Sequence, residues 1–185
     1  MKALVVGYGL IGAALAAQLR DRAYEVTTTR KRALSGHICL DLEHPPADIP
    51  LDGKAIYDIA FLCAGIKDPA HCEGPGPAWR VNVDGVVAIA DLLAAKGTRL
   101  VYISSTTVEW SPCARARQHA QVEAMIHAYR PLIIRAGPVT EESVADLCEK
   151  IMGHVEAHRR GVVHWRWAPP EPHRYGHAYH TGWKY

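Results

Sequence analysis

A short apolar run, Lys2–Val6, leads straight into Gly7-Tyr8-Gly9-Leu10-Ile11-Gly12 and then into the alanine- and leucine-rich segment Ala13–Arg20. Apolar run, glycine turn and helix-forming segment in that order predict strand, tight turn and helix. The glycines have separate tasks. Gly7 allows the tight turn, Gly9 lets backbone approach a pyrophosphate, and Gly12 lets helix and strand pack closely. Leu10 and Ile11 complete the turn and count with the glycines as nucleotide contacts. The helix N-terminus that follows offers N–H groups and positive potential to an anion. The opening of the chain is therefore predicted to hold a dinucleotide.

The same alternation continues to Gly137. Tyr24–Thr28 is a β-branched strand and His37–Leu40 a weaker one, followed by a loop marked by Pro45, Pro46 and Pro50. Ala55–Leu62 is a fourth strand ending in Cys63-Ala64-Gly65, and Pro69, Gly74, Pro75, Gly76 and Pro77 mark the next loop. Ala78–Lys96 has helical periodicity, stopped by Gly97 in the usual C-terminal position. Arg99–Ser104 is a strand, Arg115–Tyr129 a helix closed by Pro131, and Leu132–Arg135 a strand ended by Gly137-Pro138. Strands alternating with helices imply an α/β fold, a Rossmann-like doubly wound parallel sheet, over residues 1–137. The pattern then changes. Thr140 is placed to cap a helix running to about His158, Gly161–Trp167 could add a strand, and Ala168–Tyr185 reads as a packed irregular tail.

Composition narrows the partners. A hydrophobic fraction of 49% with 22% charged residues suits a soluble globular chain, and a net charge of +2 argues for neither nucleic acid nor a membrane surface. No apolar run is long enough to span a bilayer, and the N-terminal run reads as a strand and not a signal peptide. The 5 cysteines, widely spaced and with no CxxC pair, suit reduced thiols in cytoplasm.

The end of the second strand bears on which dinucleotide binds. An acidic residue there would accept from the ribose 2′-hydroxyl of NAD. The run is instead Thr27-Thr28-Thr29-Arg30-Lys31-Arg32. A guanidinium suits a 2′-phosphate, so NADP(H) is expected, held by Arg30 with help from Arg32 or Lys31. A solvated basic turn is the alternative reading of the same residues.

Several segments together resemble the extended short-chain dehydrogenase/reductase family, the group of NAD(P)-dependent epimerases, dehydratases and reductases. Asp41-Leu42 resembles its Asp–aliphatic pair beside the adenine, and Cys63-Ala64-Gly65 its small-residue turn after the fourth strand. Trp79-Arg80-Val81-Asn82-Val83-Asp84-Gly85 is similar to its aromatic-x-x-Asn-x-x-Gly helix, with Asn82 as the structural asparagine. Leu100–Val108 resembles the strand leading to the catalytic serine or threonine, and alignment on Val108 puts Ser105 at that position. The resemblance covers residues 1–137 and implies nucleotide contacts from Asp41, Leu42, Cys63, Ala64, Gly65 and Asn82. It also implies a homodimer formed through the helices Ala78–Lys96 and Arg115–Tyr129. The sizeable substrate domain of the family is reduced here to a remnant over residues 138–185.

The family's catalytic Tyr-x-x-x-Lys is missing. Aligning Glu123 with the acid of the family's helix puts Arg115 at the tyrosine position and His119 at the lysine position. An arginine cannot shuttle protons near neutral pH, whereas a histidine can. The expected catalytic residues are therefore Ser105, to orient the substrate oxygen, and His119. The leading reading is an NADP(H)-dependent oxidoreductase acting on a small carbonyl substrate. A degenerate nucleotide-binding sensor or partner subunit is the alternative. A third reading uses the late histidines as metal ligands. His154 and His158 are spaced to share a helix face, and His164, His173, His177 and His180 follow, but the spacing matches no metal motif and packing is the favoured role. Cys63 and Cys72 lie near a ligand-binding strand end, where His71 or His119 could activate a thiol; a buried apolar role is favoured for Cys63. Trp165, Trp167, Tyr175, Tyr179, Trp183 and Tyr185 are assigned to packing.

Overall fold

The computed structural model describes residues 1–45, 57–68, 72 and 76–166. The sequence expectations for Pro46, Pro50, the start of the fourth strand, Pro69, His71, Gly74, Pro75, Trp167 and the tail with its histidines and aromatics lie outside the described residues.

The strands are β1 (Lys2–Val6), β2 (Glu25–Arg30), β3 (Ile38–Cys39), β4 (Ile59–Leu62), β5 (Arg99–Ser105), β6 (Leu132–Ala136) and β7 (Gly161–Trp165). They form a 7-stranded sheet in the order β3-β2-β1-β4-β5-β6-β7, with every pairing parallel. The main helices are α1 (Leu10–Asp21), α2 (Val86–Ala95), α3 (Ala114–Ile126) and α4 (Val144–Glu156). The fold is the expected doubly wound α/β sheet.

Side chains alternate between the faces of a strand, so a sheet covered on both sides needs apolar residues at nearly every strand position. Ala3, Val5, Ile59, Phe61, Val101, Ile103, Leu132 and Ile134 form one core with α1 and α4. Leu4, Val6, Ala60, Leu62, Leu100, Tyr102 and Ile133 form the other with α2 and α3. The strand order reverses between β1 and β4. Ligands of open α/β sheets bind at the carboxyl ends of the strands at such a switch point.

Several boundaries differ from the sequence reading. β2 runs on to Arg30, because Thr28 and Thr29 are buried and the Thr29 hydroxyl accepts a hydrogen bond from the Gly7 N–H at 3.1 Å. The third strand shrinks to two residues, Ile38–Cys39. The helix expected over Ala78–Lys96 is a single turn, Pro77–Trp79, then a π-helix, Arg80–Gly85, then α2. Gly85 is pressed against the Leu42 carbonyl, 2.0 Å from where a Cβ would stand. The next helix starts at Ala114 and passes into a 3-10 turn, His127–Tyr129, before Arg130 turns left-handed at φ 52° ahead of Pro131. Thr140 does not cap the late helix. Its N–H and hydroxyl both donate to the Ser143 hydroxyl, closing a separate turn, and the helix begins at Val144. That helix stops at Glu156, and His158 lies past it at φ 52°, so His154 and His158 do not share a helix face.

The glycine turn makes a sharp stability prediction. A Cβ on Gly12 would lie 1.9 Å from the Gly7 carbonyl oxygen, whereas a Cβ on Gly9 would meet nothing within 4 Å. Gly12→Ala is expected to destabilise the chain by about 2 kcal/mol or more through forced backbone displacement. Gly9→Ala should shift stability by less than about 0.5 kcal/mol. Urea unfolding of both variants checks the contrast, and equal midpoints would remove the close-packing role of Gly12.

Candidate nucleotide site and catalytic cleft

Gly7 has φ 93°, a left-handed conformation that glycine adopts without strain, and a Cβ there would lie 2.6 Å from the Ala64 Cα. The turn after β1 and the turn after β4 thus meet backbone to backbone. Gly9 caps α1 with no side-chain hydrogen bond and borders open space. The first N–H groups of a helix have no partner within it. Leu10, Ile11 and Gly12 stand in that first turn.

The end of β2 stands beside this turn, with Thr29 bonded to the Gly7 N–H. Arg30 is exposed, with its guanidinium 5.8 Å from the centre of the Tyr8 ring. His37 meets the same ring edge-on at 4.5 Å and shares a hydrogen bond with the Thr28 hydroxyl at 2.7 Å. Neither Tyr8 nor His37 was singled out from sequence. The aromatic inside the glycine motif was the available signal. Arg32 is exposed, but Lys31 is already engaged with Asp41 at 3.3 Å and Glu43 at 3.2 Å. Burial would raise the Asp41 carboxyl, yet the Glu43 N–H, His44 and Lys31 outweigh it and hold that carboxyl below its usual value. Leu42 is buried in the core, so its backbone is what it can offer a ligand.

Past β4, Asn82 organises the loop. Its Oδ1 accepts from the Ile66 N–H at 2.7 Å, and its Nδ2 donates to the Ile66 carbonyl at 3.0 Å and to Gln118 Oε1 at 2.8 Å. Gly65 leaves the space that Asn82 occupies, since a Cβ there would lie 3.3 Å from Oδ1. Cys63 lies in the same turn. Burial pushes its thiol well above the ordinary range, so it stays protonated and is no nucleophile at neutral pH. Gln118, on α3, was missed from sequence because its partners lie on distant loops.

Ser105 ends β5. Its hydroxyl oxygen accepts from the Thr107 N–H at 3.3 Å and the Thr107 hydroxyl at 2.9 Å, capping the 3-10 turn Thr106–Glu109. His119 is half-buried on α3, with Nδ1 at 2.7 Å from the Tyr102 hydroxyl. Tyr102 is buried and has no other hydrogen bond among the described residues, so its O–H donates to Nδ1, which carries no proton. The remaining imidazole proton then sits on Nε2. Desolvation, followed by the charge of Arg115, pushes the His119 pKa down to about 4 against the opposing pull of Glu123. At neutral pH His119 is therefore an uncharged Nε2–H donor.

A charged network braces this end of the sheet. Ser104, Arg135 and His164 sit in register across β5, β6 and β7. Glu123 accepts from the Ser104 hydroxyl at 2.5 Å and from Arg135 at 2.6 Å. Arg135 also reaches Glu109 at 3.2 Å, and Glu109 bonds His164. His164 first and Arg135 second hold the Glu109 carboxyl below its usual value. Of the late histidines, His164 is thus engaged by Glu109. Among the described residues the one grouping with metal-like spacing is Asp41, Glu43 and His44, and its acids already face Lys31 and Arg80.

The sequence pattern of the NAD dependent epimerase/dehydratase family matches residues 3–124. The chain belongs to that family. No curated protein sequence matches it significantly. Among solved structures it is similar to a hypothetical dTDP-4-dehydrorhamnose reductase from Sulfolobus tokodaii, with TM-score 0.76 and 19% identity over 89% of this chain and 76% of that one. A dTDP-4-dehydrorhamnose reductase from Bacillus anthracis in complex with NADP gives TM-score 0.72 and 17% identity over 89% and 74% of the two chains. WbmH from Bordetella bronchiseptica in complex with NAD+ gives 0.69 and 16% over 89% and 74%. Identities this low establish the shared fold. No helix among the described residues is long and apolar enough to cross a membrane.

The depressed His119 pKa fixes a pH dependence of stability. An unfolded histidine titrates near 6.5, so between pH 6.5 and about 4 the unfolded chain binds the extra proton. Stability from a neutral His119 is complete above pH 6.5 and is lost as pH falls toward 4. His119→Asn should remove about 2 kcal/mol of the difference between urea unfolding at pH 7.5 and at pH 4.5. An unchanged difference would mean that His119 protonates freely in the fold.

Proposed function

We propose that this chain binds NADP(H) and reduces a carbonyl substrate. The observation that carries the cofactor half is the glycine turn locked against Ala64, with Gly9 facing open space and Arg30 beside Tyr8 at the adenosine end. The Arg30 guanidinium, in no ion pair among the described residues, gives a 2′-phosphate a charged partner, while Lys31 is held away by Asp41 and Glu43. Fit to the nucleotide comes from the chain's own geometry, and both an NADP complex and an NAD+ complex occur among the similar folds.

The reduced nicotinamide, when bound, supplies a hydride to the carbonyl carbon. Ser105 and the Nε2–H of His119 hydrogen-bond the carbonyl oxygen as its electron pair moves onto it, and water gives the oxygen its proton. A neutral imidazole polarises a carbonyl as an electrophilic donor, so its low pKa suits this task. Tyr102 orients the ring through Nδ1. The same observations favour a second reading, since neither residue of the family's Tyr-Lys pair is present: a nucleotide-holding partner subunit with no turnover. By family resemblance we further propose a homodimer built on α2 and α3, which light scattering checks.

Arg30→Ala is expected to weaken NADPH binding about tenfold or more while leaving NADH within about twofold, by fluorescence titration. An unchanged NADPH/NADH ratio would overturn the NADP(H) assignment. NADPH oxidation with a panel of aldehydes and ketones separates the two readings. Turnover that falls in Ser105→Ala and His119→Ala supports the reductase, and tight NADPH binding without turnover selects the partner subunit.

A further inference from the structure

Arg115 brings a charge to the cleft that no acid among the described residues balances. It is half-buried in the first turn of α3, a turn that contains no acid. Its charge is among the causes that lower the Cys113 and His119 pKa values, and it opposes the rise that burial gives Tyr102. It forms no ion pair among the described residues. The acids at this end of the sheet are already committed: Glu109 to His164, Arg135 and Arg166, and Glu123 to Arg135 and Ser104. The neighbouring helix N-terminus adds charge of the same sign. A guanidinium partly withdrawn from water and lacking a counter-ion is poised for one, and its flat fork of N–H donors fits a carboxylate with two parallel hydrogen bonds.

The position matters as much as the charge. Arg115 and His119 are one helical turn apart, so they share a face of α3. His119 is fixed there by Tyr102 at 2.7 Å, with its Nε2–H as the remaining donor. A neutral donor and a cation side by side suit a substrate with two different oxygens. We propose that Arg115 is a specificity-determining residue that selects a substrate bearing a carboxylate close to its carbonyl, an oxo acid. The guanidinium grips the carboxylate, and His119 Nε2–H and the Ser105 hydroxyl take the carbonyl oxygen. This assignment rests on the reductase reading and narrows it. It also explains why an arginine is tolerated where the family keeps a tyrosine: the residue there reads the substrate and does not move a proton.

The test uses oxamate, a small carboxylate, and oxamide, its uncharged counterpart, titrated by calorimetry into the full chain loaded with NADPH. Oxamate should bind and oxamide should not. Arg115→Gln should weaken oxamate about 10- to 100-fold, the range expected for a charge-assisted pair, while NADPH affinity stays within about twofold. Arg115→Lys should recover part of the loss. No oxamate binding to the loaded wild-type chain, or equal affinity in wild type and Arg115→Gln, would overturn the proposal. So would a loss of NADPH affinity in Arg115→Gln, because the arginine would then serve the nucleotide. If wild type binds no NADPH, the cofactor reading fails on its own. The same titration on the free chain then decides the arginine: loss of oxamate binding in Arg115→Gln supports it, and no difference refutes it.

Discussion

The contact on which this structure depends is a backbone-to-backbone approach at the switch point of the sheet. Gly7 lies against Ala64 and Gly12 lies against Gly7, at separations that leave no room for a side chain. The first approach fixes the exits of β1 and β4 relative to each other. The second sets how closely α1 can lie on the sheet. From these two constraints come the direction of α1 and the open space at Gly9. A larger residue at Gly7 or Gly12 would displace backbone at the place where the two halves of the sheet diverge.

Away from that point, polar groups and not apolar packing set the shape of the cleft. Asn82 links the loop after β4 to Gln118 on α3, and Glu123 links α3 to β5 and β6 through Ser104 and Arg135. These bonds hold α3 over the strand ends and so fix where Arg115 and His119 stand. A buried carboxylate costs several kcal/mol in desolvation unless it is paired, and Glu123 has both an arginine and a hydroxyl. The same logic explains His119. Buried against Tyr102, the imidazole stays neutral because charging it would forfeit hydration that nothing nearby replaces.

The change from the family's tyrosine and lysine to arginine and histidine is therefore coherent as a pair. The tyrosine position becomes a fixed cation, and the lysine position becomes an uncharged donor. A charged histidine next to Arg115 would add repulsion, and the low pKa of His119 avoids it. Under the proposed function this pair would supply electrostatics and not proton transfer.

Much of the fold was legible in residue order alone. Alternating apolar runs and helical segments separated by glycine and proline dictate a parallel α/β sheet, since runs such as Leu4–Val6 and Ile59–Leu62 must be covered on both faces. The glycine turn and the helix carrying Asn82 were legible for the same reason, because each depends on neighbours within a few residues. Partners far apart in sequence were not legible. Tyr102 with His119, Glu123 with Arg135 and Glu109 with His164 meet only when β5, β6, β7 and α3 come together. Sequence identified His119 as a titratable group. Only the tertiary structure decided that it is neutral, because desolvation and the charge of Arg115 exist only once the chain is folded around it.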